Sequence, residues 1–181
     1  MTVYKGLNKD LTCRGYQFVP GLNVTDAANC VKNGFHAAED PLDCLSYYGN
    51  MNESVYWLCS ANGDIDEDGT DSKVSCTHLT LYKQLSIEEF VFHALWYMIQ
   101  HPNRERNEII QKDRGYTDES VQRPFVIVRG SDPIAKGRLH DVIGLYVEGK
   151  TGEIGLFTID GEQYKPDTWY DARGKEAEFD D

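Results

Sequence analysis

Apolar residues recur at intervals of three and four positions between residues 87 and 99, which is the periodicity of an α-helix. Ser86 and Glu89 have the spacing of a capping box, in which each side chain accepts a hydrogen bond from the other residue's backbone amide. Pro102 cannot continue a helix. The pattern therefore predicts a helix over residues 86–101.

Three aromatic residues of this helix, Phe92, Trp96 and Tyr97, lie off its apolar stripe. The helix is therefore apolar on nearly every side, and such a helix is either fully buried or packs its second side against a partner. We expect burial. If that side is exposed, the three aromatic residues are candidates for binding a partner protein.

A second helix is predicted to start at Asp40, because aspartate is a favoured N-cap and Pro41 suits the first helical position. Asp43 adds a negative charge near the positive end of the helix dipole. Gly49 is typical of the residue that follows a helix, so we expect the end near Tyr48.

Short apolar segments between glycine, proline or acidic turns predict β-strands in both halves of the chain. An acidic loop separates the third of these strands from the fourth. The predicted strands are Val3–Lys5, Gly15–Val19, Val55–Cys59, Lys73–Tyr82, Phe125–Val128, Asp141–Glu148 and Glu153–Ile159.

These elements predict an α+β fold of mainly antiparallel strands with two main helices. The length of 181 residues is enough for one domain or two small subdomains. We expect an N-terminal α+β unit over residues 1–102 that includes the aromatic helix, a polar linker over 103–122, a small β-rich unit over 123–173 and a loose acidic tail over 174–181.

The composition is strongly acidic, with a formal net charge of −12 and a pI near 4.8. Direct binding of nucleic acid needs a basic face, so we expect none, whereas an acidic surface can dock onto a basic partner. No apolar run follows a basic start, and the longest apolar stretch, residues 90–99, is too short to cross a bilayer. We therefore expect a cytoplasmic protein without membrane contact.

The cysteines form no C-x-x-C pair, and their number is odd. Without a secretion signal, this pattern predicts reduced and mostly buried thiols. Zinc ligands are usually paired about two to four residues apart, and Cys76 with His78 has no second pair, so we expect no metal there. The cysteines are Cys13, Cys30, Cys44, Cys59 and Cys76.

Five carboxylates without a base among them lie in the predicted acidic loop. The D-x-D-x-D-G pattern there matches the first half of a calcium loop, but Ser75 occupies the twelfth position, where a bidentate glutamate is needed. The alternatives are a solvated hairpin loop and a charge display that imitates a run of phosphates. We expect the charge display, with no metal or cofactor. The five residues are Asp64, Asp66, Glu67, Asp68 and Asp71.

No nucleophile elbow, phosphate-binding glycine loop, H-E-x-x-H or dinucleotide fingerprint is present. His36 is the best candidate for an active-site base, with a structural role in a turn as the alternative. The segments Tyr4–Gly6 and Gly34–His36 resemble the opening of ADP-ribosyltransferase folds, although Lys5 stands where many of those proteins have arginine. The only E-x-E, residues 176–178, lies in the tail. We therefore assign no catalytic residue.

Residues Tyr4–Phe18, YKGLNKDLTCRGYQF, resemble the head of a family of uncharacterised proteins from phages, prophages and gut bacteria. The segments GFHA at Gly34, PLD at Pro41 and DSKV at Asp71 fit the same pattern. A C-terminal β module often found with that head is similar to AKG at Ala135, DG at Asp160 and KPDTWY at Lys165. The resemblance covers most of the chain apart from residues 86–122, and it implies no established activity.

A small acidic phage protein without a catalytic motif is similar in kind to anti-CRISPR inhibitors. This resemblance implies that the chain binds a host CRISPR effector nuclease, free or loaded with its guide RNA, and mimics DNA at the basic channel of that nuclease. An ADP-ribosyltransferase-like enzyme acting on a host protein, and a non-enzymatic virion or interaction module, are the alternatives.

Overall fold

The computed structural model describes residues 1–29, 32–67, 72–104, 108–117, 122–149 and 152–178. The chain forms two compact units, Met1–Leu85 and Ser86–Asp181. The predicted boundary near residue 102 is therefore displaced to Leu85. The aromatic helix opens the second unit, because its buried side packs against strands of that unit.

The described part of the first unit contains seven strands, whose pairings are all antiparallel. The main sheet has the strand order fourth, seventh, fifth, first, sixth, and the sixth strand also pairs with the seventh. The first, sixth, seventh and fifth strands therefore form a closed ring. The strands are β1 (Thr2–Asn8), β2 (Thr12–Cys13), β3 (Tyr16–Gln17), β4 (Gly21–Val24), β5 (Phe35–Ala38), β6 (Ser54–Glu67) and β7 (Lys73–Gln84).

The core of the first unit fills this ring, because successive residues of a strand point to opposite faces. Val3 and Leu7 of β1 are buried with Phe35 of β5 and Leu79 of β7. Lys5 lies between Val3 and Leu7 in the alternation, so it also points into the interior, and it is buried.

The strand predicted over residues 15–19 is shorter in the structure, where β3 covers only Tyr16–Gln17. The side chain of Asn23 explains this difference. Its oxygen accepts a hydrogen bond from the Val19 amide at 3.1 Å, and its nitrogen donates to the Val19 carbonyl at 2.9 Å. The backbone of Val19 is therefore already bonded and cannot pair with a neighbouring strand.

The helix predicted after Asp40 is a 3₁₀ helix over Pro41–Ser46, and it ends before Tyr48. The predicted N-cap is confirmed, since the Asp40 carboxylate accepts a hydrogen bond from the Leu42 amide at 2.9 Å. Leu42 and Leu45 are both buried. Residues three apart lie above one another in a 3₁₀ helix, so this tighter winding turns both leucines towards the core.

The second unit begins with α1 (Ile87–Gln100), and the capping box of Ser86 and Glu89 is confirmed. The sheet places the strands β11, β10, β9 and β12 side by side, and β8 also pairs with β9. The chain is mainly antiparallel, as predicted, but this sheet is mixed because β9 pairs in parallel with both β8 and β10. These strands are β8 (Gln111–Tyr116), β9 (Phe125–Lys136), β10 (Val142–Val147), β11 (Ile154–Thr158) and β12 (Tyr170–Asp171).

Two segments that the sequence leaves without structure are ordered. The strand β8 lies within the predicted linker, and its exposed polar side chains suit an edge strand that pairs with β9 alone. In the predicted loose tail, the Ala177 amide donates to the Trp169 carbonyl at 2.9 Å, and Tyr170 bridges to Glu176. Polar composition at these positions reflects solvent exposure, not a lack of backbone pairing.

The helix α1 buries one side only. Phe92 and Trp96 are 40% and 46% exposed, and their rings stack at a centroid distance of 6.5 Å, so the expected burial is wrong for this pair. Tyr97 is half-buried, and its hydroxyl accepts a hydrogen bond from Arg104. A five-residue stripe already covers the sheet, which leaves the aromatic pair towards solvent. The stripe is Phe90, Val91, Ala94, Leu95 and Met98.

Neither helix in the described ranges has the length and hydrophobicity to cross a membrane.

The N-cap of α1 provides a test of the fold. We predict that Ser86→Ala lowers the free energy of unfolding by about 1 kcal/mol, because the Glu89 amide loses its acceptor. Urea denaturation followed by circular dichroism measures this loss. The exposed Ser131→Ala is the matched control and should leave stability unchanged. Equal stability of the two variants would contradict the role of the cap.

Candidate functional site

The ring of the first unit is closed by a single residue pair between β1 and β5, Tyr4 with Ala38. Beyond this pair the two strands separate, and a cavity of about 590 Å³ opens where they part. We call this cavity the β1–β5 cleft. Its walls are Tyr4, Lys5, Gly6, Cys13, Arg14, Tyr16, Phe18, Thr25, Gly34, Phe35, His36, Ala37, Ala38, Asp43, Cys44, Tyr47, Tyr48 and Lys73.

Lys5 spans the gap between the two strands. Its Nζ donates a hydrogen bond of 2.6 Å to the His36 carbonyl and lies 3.9 Å from the Cys13 Sγ. The same Nζ lies 4.9 Å from the centre of the Phe18 ring. The lysine ammonium or amine therefore donates the hydrogen bond to the His36 carbonyl. In a regular β-ladder, a backbone amide of the neighbouring strand donates such a bond.

The surroundings of Lys5 disfavour its charged form. Burial lowers the pKa of Lys5 below its ordinary value of 10.5, and the neighbouring thiols of Cys13, Cys44, Cys59 and Cys76 oppose this effect. No carboxylate contacts its Nζ among the residues that the structure describes.

His36 is half-buried on the other side of the gap. Burial lowers the pKa of its imidazole below 6.5, and the positive charges of Lys5, Arg14 and Lys73 lower it further. The ring is therefore neutral at pH 7.

Positive charge is concentrated in the cleft. Residues 1–85 contain six lysine and arginine residues, of which Lys5, Arg14 and Lys73 line the cleft. Of the nine acids in this range that the structure describes, one, Asp43, lines the cleft, and its carboxylate accepts hydrogen bonds from the hydroxyl and the amide of Ser72. The cleft is therefore cationic inside a unit that is acidic as a whole.

Aromatic rings form one wall of the cleft. Tyr16, Phe18 and Phe35 meet edge to face, with centroid distances between 4.6 and 5.1 Å. On the opposite wall, Tyr48 lies against the backbone of Gly6, where a Cβ atom would be 2.8 Å from the Tyr48 ring. Gly6 is therefore needed for Tyr48 to reach this position. Ring faces beside positive charges can hold a flat anionic ligand.

The predicted acidic residues are placed differently from the sequence-based expectation. Asp64, Asp66 and Glu67 are exposed, but they belong to β6 and not to a loop, because β6 continues its pairing with β7 as far as Glu67. Asp68 and Asp71 lie outside the described residues. No group of three His, Cys, Asp or Glu side chains in the described ranges is arranged to hold a metal ion.

The half-motif for calcium does not fit this geometry. Ser75, its twelfth position, pairs with Asp66 across the strands. The Ser75 hydroxyl is buried and donates to the Asn33 carbonyl at 2.6 Å, and it cannot supply the bidentate carboxylate that the twelfth position needs. The second set of predicted residues, Phe92 and Trp96 with Tyr97, belongs to the second unit.

Four of the five cysteines are free thiols, and Cys30 lies outside the described residues. Burial raises the pKa of Cys44 and Cys59 to about 12 in each case. These two thiols therefore stay protonated and are poor nucleophiles at neutral pH.

The sequence predicts His36 as a candidate base and places Lys5 in a segment that resembles ADP-ribosyltransferases, but it does not predict Arg14, Lys73 or Tyr48 as site residues. One signal was available, since Lys5 occupies an apolar position of a strand, between Val3 and Leu7. Arg14, Lys73 and Tyr48 lie in separate segments of the sequence, and they come together only in the folded chain.

The burial of Lys5 predicts a specific pH dependence. Between its lowered folded pKa and 10.5, the unfolded chain binds more protons, so the free energy of unfolding rises with pH in that window. From pH 7 to pH 10 the wild type should gain stability relative to Lys5→Met, by at most about 1.4 kcal/mol per pH unit. Urea titrations at each pH measure the difference. Lys9→Met, at an exposed lysine, is the control. If the difference in unfolding free energy between wild type and Lys5→Met stays constant over this pH range, as it should for Lys9→Met, the burial argument is contradicted.

A recognised sequence family spans the whole first unit and reaches into α1. The sequence model of the family described as a domain of unknown function (DUF7666) matches residues 1–93. No curated protein and no solved structure matches the chain. The match covers just over half of the 181 residues and includes every residue of the β1–β5 cleft. The chain belongs to the DUF7666 family.

Proposed function

We propose that the family domain is a receptor for a small organic anion that carries a flat ring, bound in the β1–β5 cleft. The observation that carries this proposal is the concentration of three basic side chains, Lys5, Arg14 and Lys73, in a cavity of about 590 Å³. Typical ligand pockets have volumes of roughly 300–1,000 Å³, so the cleft has the size of a metabolite site.

The two halves of such a ligand suit different walls. Arg14 is exposed at the cleft and has no carboxylate partner among the described residues. Lys73 lies with its Nζ 5.1 Å from the centre of the Tyr47 ring. A carboxylate or phosphate can bind these cations, and the flat ring can pack against Tyr16 and Phe35. The net charge of −12 repels anions in general, so the cleft must offer a local charge that outweighs it.

We predict that ring-bearing phosphates such as adenosine 5′-monophosphate and pyridoxine 5′-phosphate raise the melting temperature, and that neutral adenosine does not. A ligand at one hundred times its Kd adds about 2.7 kcal/mol. Arg14→Gln and Lys73→Gln should each weaken binding about tenfold or more, because a hydrogen bond to a charged group is lost. Lys9→Gln, outside the cleft, is the control. Absence of binding by both phosphates, or equal affinity in all three variants, would contradict the receptor proposal.

The cleft also favours an ADP-ribosyltransferase-like activity, in which the bound ring-bearing anion is NAD. It brings together Tyr4–Gly6 and Gly34–His36, the two segments that resemble such enzymes. NAD is itself a ring-bearing anion. The acid in the described wall is Asp43, which is bonded to Ser72. Transfer of label from NAD to a host protein would support the enzyme, whereas binding of NAD without transfer would support a receptor.

The second candidate function is inhibition of a CRISPR effector nuclease by direct binding. The exposed stacked pair of Phe92 and Trp96 favours it, because exposed aromatic residues are frequent at protein interfaces. The exposed carboxylates of Asp64, Asp66 and Glu67 favour docking on a basic DNA channel.

We predict separate effects for these two surfaces. Replacing the three β6 carboxylates by Asn, Asn and Gln should slow association with the nuclease about tenfold at low salt, since rim charges act chiefly on the on-rate. Trp96→Ala should accelerate dissociation, at a cost of about 2 kcal/mol. DNA-cleavage assays and binding kinetics measure both, and Tyr116→Ala, also exposed, is a control for Trp96→Ala. A wild-type protein that neither binds nor inhibits any tested effector nuclease would refute this candidate.

A further inference from the structure

The amine of Lys5 lies in a cavity that is large enough for a ligand. The Nζ has one oxygen acceptor at 2.6 Å and one sulfur at 3.9 Å among the described residues. An ammonium has three N–H donors and no acceptor. The Phe18 ring face at 4.9 Å is the third contact of the Nζ, and a ring face and a distant sulfur solvate an ammonium less well than water does. A neutral amine keeps a lone pair, which can attack a carbonyl carbon.

The charged groups around Lys5 give the ammonium little support. The titratable neighbours that act on it are the thiols of Cys13, Cys44, Cys59 and Cys76, of which Cys44 and Cys59 have a pKa raised to about 12 and stay neutral. The neighbouring His36 imidazole is neutral as well at pH 7. A buried lysine without a counter-charge is the type of amine that reacts with carbonyl compounds in enzymes.

We infer that Lys5 is a nucleophile that forms an imine with a ring-bearing anion that carries an aldehyde or ketone group. This inference rests on the proposed receptor function of the β1–β5 cleft and names the ligand class more closely. The cations Arg14 and Lys73 hold the anionic group, and the amine at the gap between the strands meets the carbonyl carbon.

The reaction is a condensation without an oxidant or reductant. The Nζ lone pair attacks the carbonyl carbon, a C–N bond forms, and the π electrons pass to the oxygen, which takes a proton from the nitrogen. The oxygen then leaves as water with the second nitrogen proton, and a C=N bond forms. The neutral imidazole of His36 lines the same cavity and is the group there that can carry a proton between nitrogen and oxygen.

Burial also favours the product. Lys5 is 4% exposed, so bulk water has poor access to the C=N bond that it forms. An exposed lysine with an ordinary pKa of about 10.4 is neutral in only roughly one molecule in 2,500 at pH 7. The cleft amine therefore reacts in preference to the lysines on the surface.

The test compares pyridoxal 5′-phosphate with pyridoxine 5′-phosphate, which has an alcohol in place of the aldehyde. Each is bound to the full chain, treated with borohydride and mapped by peptide mass spectrometry. We expect both to bind and only the aldehyde to be trapped, with labelling at Lys5 at least about tenfold above any exposed lysine. Lys5→Met should lose the adduct and Lys9→Met should keep it. The wild-type map tests the inference even if Lys5→Met does not fold.

Binding of both compounds without an adduct at Lys5, or with label spread over exposed lysines, would overturn the imine and leave the receptor proposal standing. Binding of neither compound would overturn the receptor proposal and the imine together.

Discussion

The geometry of the β1–β5 cleft depends on the hydrogen bond from the Lys5 Nζ to the His36 carbonyl. A ring of β-strands normally closes through a ladder of backbone bonds, but here Tyr4 and Ala38 form the single residue pair between β1 and β5. Next to this pair, where β1 and β5 no longer pair, the Lys5 side chain donates a hydrogen bond across the gap. The lysine side chain thus links the two strands beside the cleft without closing it.

The same constraint explains the electrostatics of the site. A lysine that bridges two strands inside a ring must be buried, and burial lowers its pKa because water no longer solvates the charge. Burial also lowers the pKa of His36, and the positive charges of Arg14 and Lys73 add to this effect. The site therefore combines a buried amine, a neutral imidazole and the cations of Arg14 and Lys73 in one cavity. Burial of an ionisable amine lowers the stability of the fold. Cavities that contain ionisable groups with shifted pKa values are frequent at functional sites.

Local signals in the sequence predict the regular elements well, and they fail where a distant contact decides the outcome. The capping box at Ser86 and the N-cap at Asp40 are confirmed because both depend on residues within one turn. The strand over residues 15–19 is cut short by Asn23, and β8 is ordered by its pairing with β9. The cleft itself was beyond sequence reasoning, because Lys5, Arg14, His36 and Lys73 come from four segments. The high density of carboxylates after residue 63 predicts a loop, yet Asp64 and Asp66 belong to the strand β6.

The most direct test of the central claim is to map where a ring-bearing anion binds. Backbone amide resonances of the labelled protein are recorded by NMR during a titration with pyridoxine 5′-phosphate. If the separation of β1 from β5 creates the functional site, the largest shifts should fall on residues 4–6 and 34–38, which form the two sides of the cleft. Shifts confined to residues 64–67 or to α1, with the cleft unchanged, would contradict the account.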